Sequence, residues 1–257
     1  MMALYNFGLR IPRILVATSL AAFGVEHFLF GDFITGRAPA YPAGVPGQLI
    51  LAYCTGALWL ACAIGLVLEK KIQWLLAGCG IIILVWAAGR NILLLIMHPE
   101  YGGLLTNTFK GLTLGFGAFI IAATLPSTGQ PDFLLKFSRL MAITGPYIVG
   151  LFLLIAGIQH FIFADFVNFI VPAWLPFVPF WTYFSGLALI AAGLGIITGI
   201  KKYWAAWLSA CMILVWVIVL HLPRAFMNQN QNEWIAVFEA LAVGGILLLI
   251  SKDKSTG

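Results

Sequence analysis

Eight long apolar runs follow one another along this chain, and they constrain its fold more than any other feature. They lie at about 12–31, 48–68, 72–96, 106–125, 142–163, 180–199, 203–222 and 234–250. Each is close to the roughly 17–25 residues that a helix needs to cross the hydrocarbon core of a bilayer. Helices are expected because unpaired backbone groups cannot face lipid, and runs such as IIILVWAA lack the alternation of barrel strands. The sequence therefore predicts an all-α, polytopic membrane protein with eight transmembrane helices.

The composition also indicates that lipid is the main solvent of this chain. Hydrophobic residues make up 62% of the 257 residues, charged residues only 9%, and the mean hydropathy is +1.01. A soluble globular chain is nearer to about 45–50% apolar and about 25% charged. So few charges cannot cover a surface that faces water, and the lipid bilayer is therefore the first partner expected.

The basic residues predict an orientation. With the N-terminus in the cytoplasm, ten of them fall on the inner side, only two fall in outer connectors, and two more, Arg90 and Lys110, lie within or at the edge of spans. The inner ten are Arg10, Arg13, Lys70, Lys71, Lys136, Arg139, Lys201, Lys202, Lys252 and Lys254, and the outer two are Arg37 and Arg224. This bias obeys the positive-inside rule and predicts a multi-pass plasma-membrane protein, of the bacterial inner membrane type, with both termini cytoplasmic. The net charge of +5 thus reflects topology, and no nucleic-acid partner is expected.

The two halves of the chain resemble each other. GVEHFLFGDF, which starts at Gly24, and GIQHFIFADF, which starts at Gly157, agree at six of ten positions. Further pairs follow in the same order: YCTG with YFSG, Lys70-Lys71 with Lys201-Lys202, and LVW ending at Trp86 with LVW ending at Trp216. The pattern predicts two four-helix repeats, 1–126 and 134–257, with a joint at 127–133. Four spans are an even number, so the repeats should be parallel. The first run, although it looks like a signal peptide, has an internal counterpart at 136–161 and is expected to remain as a helix.

The second half carries motifs that resemble the DoxX-like membrane proteins. These are a Gly-x-x-His-Phe segment at Gly157, the connector IVPAWLP, a Tyr-x-Ser-Gly helix start at Tyr183 and the basic pair at Lys201. The first half keeps this skeleton more loosely, with APAYPAGVPG as its connector. The resemblance implies a four-helix bundle unit in a membrane, and the namesake of the family is tied to thiosulfate:quinone oxidoreduction. Two departures are Leu189 and Trp59 where many members have Glu, and VIV at 217–219 where they have Pro-Ala-Asn.

Polar residues inside the apolar runs are the candidates for a functional site. In the predicted topology they gather in the outer half of the membrane: Glu26, His27, Arg90, Asn91, Lys110, Gln159, His160, His221, Arg224 and Glu239. Charges in a bilayer are costly, so such residues are usually paired or functional. One interpretation is a pocket where His and carboxylate groups hydrogen-bond a lipophilic carbonyl or quinone. The other is contact between helices, with Glu26 paired to Arg90 or Lys110 and Glu239 to Arg224 or His221; Lys110 can also extend its amine to the interface.

Motifs for metal and nucleophilic chemistry are missing from the sequence. There is no His-x-x-His or Cys-x-x-Cys spacing, and a metal or haem site would need His27, His160 and His221 to meet. The four cysteines are scattered singly, at 54, 62, 79 and 211, so neither a disulfide nor a dithiol is expected. No Ser-His-Asp pattern, P-loop or dinucleotide fingerprint appears, and no catalytic residue can be assigned.

The connector FVNFIVPAWLPFVPFW is unusually apolar and aromatic for a loop. Its prolines at 172, 176 and 179 forbid a long helix, and its aromatic residues suit the membrane–water interface. We expect it to lie there, either as an anchor or as a lid over the polar cluster. Asp32 and Asp165 open the two connectors and are expected to cap the first turn that follows.

These observations favour a binding or accessory protein for a lipophilic small molecule or a membrane protein partner, without an assigned reaction. The main alternative is a subunit of a membrane oxidoreductase that meets the quinone pool, and the third is a small-solute transporter. A quinone or another lipid is the only type of cofactor or ligand that the pattern suggests.

Overall fold

The computed structural model describes residues 2–33, 46–70, 72–125 and 131–252, and it shows nine helices and no β-strand in these ranges. The helices are α1 (Met2–Phe30), α2 (Gln48–Val67), α3 (Gln73–Met97), α4 (Gly102–Ala123), α5 (Asp132–Ile162), α6 (Ala164–Ile170), α7 (Val178–Thr198), α8 (Lys202–Asn228) and α9 (Gln231–Ile250). All except the short α6 are long and apolar enough to cross a membrane. The prediction of an all-helical chain with eight helices of membrane-spanning length is confirmed. Most of the predicted joint at 127–133 lies outside the described residues.

Two of the long helices contain a wider, π-helical turn. In α3 it spans Ala87–Ile92, and in α8 it spans Val217–His221. Each turn begins directly after the tryptophan that ends an LVW segment. A π turn is rare and inserts one extra residue, which rotates the side chains that follow; such turns are frequent at functional sites.

The long helices contact one another in a closed ring. Going round it, α1 packs on α2, α3 on α4, α4 on α5, α5 on α7, α7 on α8, α8 on α9, and α9 on α1. The contact between α2 and α3 is slight, while α4 and α9 also touch across the middle. The last helix of each half of the chain therefore packs against the first helix of the other half.

Glycines set the closest crossings between helices. At the crossing of α5 and α7, a Cβ added to Gly186 would lie 2.8 Å from the Cβ of His160 and 3.1 Å from the carbonyl oxygen of Gly157. The corresponding crossing of α1 and α2 is formed by Gly24 and Gly56, which approach each other as closely. Only glycine allows such contact. The Gly-x-x-His-Phe and Tyr-x-Ser-Gly segments therefore lie side by side.

The C-terminal end of α4 is held by side chains of two other helices. The guanidinium of Arg13 in α1 donates to the hydroxyl of Thr124 at 3.2 Å and to its carbonyl at 2.6 Å. The amide of Gln73 in α3 donates to the carbonyls of Ala122 at 3.0 Å and Leu125 at 2.5 Å. These bonds satisfy carbonyls that a helix end leaves without intrahelical partners.

The capping prediction fails in the second connector, whereas the turn after Asp32 in the first connector lies outside the described residues. Asp165 lies in the first turn of α6, but the helix starts after Phe163 and has no side-chain cap, so that prediction was wrong. Asp32 accepts hydrogen bonds from the backbone of Phe33 at 2.7 Å and from the amide of Gln48 at 2.6 Å, which holds the end of α1 to the start of α2. The first connector at 34–45 lies outside the described residues. As the prolines require, α6 ends at Ile170, just before Pro172.

Candidate ligand-binding site

A cavity of about 940 Å³ lies between the helices of the second half and the beginning of α4. We call it the large cavity. Its polar lining includes Asn107, Lys110, Gln159, His160, Ser185 and His221, and its apolar lining includes Phe166, Ile170, Trp181, Leu189, Met212 and Trp216. Small-molecule sites have volumes of about 300–1,000 Å³, mostly apolar walls and a few polar groups. The large cavity has this size and this composition.

A second cavity, which we call the small cavity, lies in the first half and has a volume of about 150 Å³. Aligned positions of the two halves line the two cavities: His27 with His160, Thr55 with Ser185, Trp86 with Trp216, and Asn91 with His221. Two aligned positions contribute to the difference in volume. Trp59 and Phe23 project rings into the small cavity, where the large cavity has only Leu189 and Ala156.

Each cavity is lined by a histidine in the same orientation. The Nδ1 atom of His160 lies 2.7 Å from the carbonyl oxygen of Ala156, and that of His27 lies 2.7 Å from the carbonyl oxygen of Phe23. A carbonyl oxygen can only accept, so Nδ1 carries the hydrogen in both rings. In the neutral ring the other nitrogen, Nε2, is then an acceptor. The Nε2 atom of His160 makes no hydrogen bond to any residue that the structure describes.

The charged pair Lys110–Glu239 lies between the two cavities. The ammonium nitrogen is 2.5 Å from a carboxylate oxygen, and the side chains are only 16% and 13% exposed. Lys110 lines both cavities and Glu239 lines the small one. The sequence-based pairing of Glu239 with Arg224 was therefore wrong, as was the alternative of Lys110 paired with Glu26 or extended to the interface. The pair joins α4 to α9 where these helices touch.

Arg224 serves a different contact. Its guanidinium donates to both carboxylate oxygens of Glu233, at 2.6 and 3.2 Å, and so ties the end of α8 to the start of α9. The side chain of Asn230 caps α9 by accepting from the backbone of Glu233 at 3.0 Å. Sequence reasoning missed Glu233, although Asn-x-x-Glu before an apolar run is a capping pattern.

The remaining candidates divide between the cavities and the helix contacts. Gln159 lines the large cavity, where it donates to the carbonyl of Gly102 at 2.9 Å and accepts from the hydroxyl of Thr106. Glu26 and Arg90 line neither of the two cavities. The Arg90 guanidinium lies 5.6 Å from the ring centre of Trp86, and one buried carboxylate oxygen of Glu26 has no hydrogen-bond partner among the described residues.

The structure also brings together residues that the sequence analysis left out. Ser185 is buried beside the crossing of α5 and α7, lines the large cavity, and its hydroxyl has no hydrogen-bond partner in the described part of the chain. The available signal for it was the Tyr-x-Ser-Gly motif, whose counterpart in the first half has Thr55 at the same position. Cys62 and Cys79 place their sulfurs 3.2 Å apart between α2 and α3, a contact that their spacing in the sequence did not indicate. Within the described ranges, no group of three or more His, Cys, Asp or Glu side chains could hold a metal ion.

Comparison with known proteins adds one finding. The model of a family described as a domain of unknown function (DUF8561) matches residues 149–248. No curated protein and no solved structure matches the chain. The matched stretch runs from the middle of α5 into α9. It therefore includes His160, Ser185 and His221 of the large cavity.

Proposed function

We propose that this chain is an integral membrane protein that binds a lipophilic small molecule in the large cavity. The observation that carries the proposal is the cavity itself, which has about 940 Å³ of space and aromatic and aliphatic walls broken by a few polar side chains. The eight long apolar helices support insertion into a bilayer. A lipophilic ligand can then enter from the lipid phase. The role is binding or accessory, and no reaction is assigned to it.

The proposal includes a DoxX-like architecture of two parallel four-helix repeats, in which the last helix of each repeat packs against the first helix of the other. Several matched features support it: the π turns of α3 and α8, the glycine crossings, and the aligned linings of the two cavities. The ring of contacts supports this exchange, because α4 packs on α5 and α9 packs on α1. Each repeat thus contributes its last helix to the other.

The proposed location is a plasma membrane of the bacterial inner membrane type, with both termini in the cytoplasm. The distribution of basic residues supports this orientation. The two ends of the chain also approach each other, since a Cβ on Gly8 would lie 3.8 Å from the side chain of Lys252. The N-terminal end of α1 and the C-terminal end of α9, which both carry basic residues, therefore lie on the same side.

The cavity proposal is tested by filling the cavity. Leu189→Trp introduces into the large cavity the residue that the small cavity has at the aligned position, Trp59. Leu187→Trp is the matched control, because Leu187 lies two residues away on α7 and is 61% exposed. Each protein is purified in lipid nanodiscs and extracted with organic solvent, and the extract is analysed by mass spectrometry.

We expect a lipophilic molecule to copurify with the wild-type protein and the Leu187→Trp variant and to be absent from Leu189→Trp. Identical extracts from all three proteins would refute binding in the large cavity. The extract also tests the alternative of an oxidoreductase subunit, because a quinone shows a reversible change in ultraviolet absorbance on reduction and a redox-inactive lipid does not.

A further inference from the structure

The large cavity presents a hydrogen-bond acceptor to its contents. His160 is held by its helix crossing, where the absent side chain of Gly186 allows α7 to pass directly against it. Its Nδ1–H is used by the carbonyl of Ala156 at 2.7 Å. The remaining polar atom of the ring, Nε2, has a lone pair and no partner among the described residues. An acceptor that faces a mostly apolar cavity in this way gains a hydrogen bond when a donor reaches it.

Several other polar groups of this cavity are already used within the protein. The hydroxyl of Thr182 donates to the side chain of Asn168 at 2.7 Å, and the indole N–H of Trp181 donates to the carbonyl of Pro176 at 2.9 Å. Gln159 is bonded at both ends of its amide. These groups therefore need no hydrogen bond from a ligand. Nε2 of His160, in contrast, can accept one, and the hydroxyl of Ser185 has no partner among the described residues.

Charge in the cavity is balanced. Lys110 is the one lysine or arginine among the described lining residues, and Glu239 holds it at 2.5 Å. A carboxylate or phosphate head group would bring a second anion towards this pair and towards the lone pair of His160. A cationic head group would find no acidic side chain in the described lining. An uncompensated charge in an apolar site is strongly disfavoured, so the head group should be neutral.

We infer that the ligand is a neutral lipophilic alcohol or phenol whose hydroxyl group donates to Nε2 of His160. A hydroxyl also accepts, so it can use the free donor capacity of Ser185 at the same time. A ketone, ester or ether only accepts and leaves the histidine without its donor. The apolar body of the ligand would lie against the aromatic and aliphatic wall that includes Phe166 and Ile170 of α6. This inference rests on the proposed function and names the chemical class of its ligand.

The test compares lipophilic ligands with different head groups. Radiolabelled 1-dodecanol is bound to the full chain in nanodiscs, and binding to the Leu189→Trp variant is subtracted as partition into lipid. Competitors are unlabelled 1-dodecanol, dodecyl methyl ether, 2-tetradecanone, dodecanoate and 4-octylphenol. We expect the alcohol to bind about fivefold more tightly than the ether and the ketone, as expected for one neutral hydrogen bond. Dodecanoate should bind more weakly still. Comparison of 4-octylphenol with 1-dodecanol shows whether the site prefers a hydroxyl group on an aromatic ring or on an aliphatic chain.

Two variants test whether His160 causes the preference for the alcohol over the ether. His160→Phe keeps a planar ring but removes the acceptor, so the alcohol should lose its advantage over the ether while the ether binds as before. His27→Phe in the small cavity is the matched control and should leave the preference unchanged. Equal binding of all head groups, or a preference that survives in His160→Phe, would overturn the hydroxyl inference and leave cavity binding intact. No difference between wild type and Leu189→Trp for any ligand would instead refute the proposed function.

Discussion

The ion pair between Lys110 and Glu239 makes the sharpest prediction about stability. The perturbation is Glu239→Gln, which keeps the shape of the side chain and leaves the ammonium without its counter-charge. At 2.5 Å and an effective dielectric constant of about 20, the Coulomb attraction is about 7 kcal/mol before desolvation is subtracted. Removal of one partner of a buried pair costs about 3–5 kcal/mol. Because the side chains keep 16% and 13% exposure, we expect a loss near the lower end, about 3 kcal/mol.

The free energy of unfolding can be measured by SDS titration in mixed micelles. Lys110→Met combined with Glu239→Met removes both charges and should be more stable than Glu239→Gln, because apolar replacement of a complete buried pair is often neutral. Glu100→Gln is the matched control. Its pair with His98 has a distance of 3.2 Å, but the side chains are 59% and 45% exposed, so the loss should stay below about 1 kcal/mol.

A loss below about 1 kcal/mol for Glu239→Gln would contradict the reasoning, since it would mean that the pair contributes no more than a surface contact. A double variant less stable than Glu239→Gln would also contradict it. That result would show that the side chains stabilise the contact between α4 and α9 by packing and not by charge.

Two further predictions concern helix contacts. Gly186→Ala should lower the free energy of unfolding by about 2 kcal/mol, because its Cβ would meet the Cβ of His160 at 2.8 Å and force α5 and α7 apart. Gly78→Ala, where nothing lies within 4 Å of the added Cβ, should be neutral or slightly stabilising in the same titration; equal losses for both would argue against the crossing. Mild oxidation with copper phenanthroline should join Cys62 to Cys79, whose sulfurs are 3.2 Å apart, and leave Cys54 and Cys211 unlinked. Peptide mapping by mass spectrometry without reducing agent checks this, and recovery of Cys62 and Cys79 as separately alkylated peptides would contradict the contact.

The helices were predictable because their signal is local. The length of each apolar run and the positions of the Gly, Pro and polar residues between runs can be read directly from the sequence. The number and approximate bounds of the eight long helices followed from them. The prolines of the second connector likewise excluded a long helix there, and α6 ends at Ile170 before Pro172. The π turns of α3 and α8 had no comparable signal, because a π turn needs no particular residue type and the hydrophobic run continues through it.

The sequence predicted several polar residues of the site but not the cavity that they line. His160, Gln159 and His221 were expected in a polar cluster, and they do line the large cavity. Ser185 was missed because a single serine in an apolar run has many structural uses. The volume was unpredictable as well, since it depends on how Leu189 and Ala156 differ from Trp59 and Phe23 after the helices have packed.

The sequence by itself determined the helical class, the number of long helices and the similarity of the two halves, because these properties depend on residue type and order along one segment. Only the tertiary structure decided which helices are neighbours. A helix that is apolar all round gives no periodic signal for the face it buries, so the packing of α4 on α5 and of α9 on α1 could not be predicted from the sequence. Lys110 lies on α4 and Glu239 on α9, and their pairing exists only because the tertiary structure brings these two helices into contact.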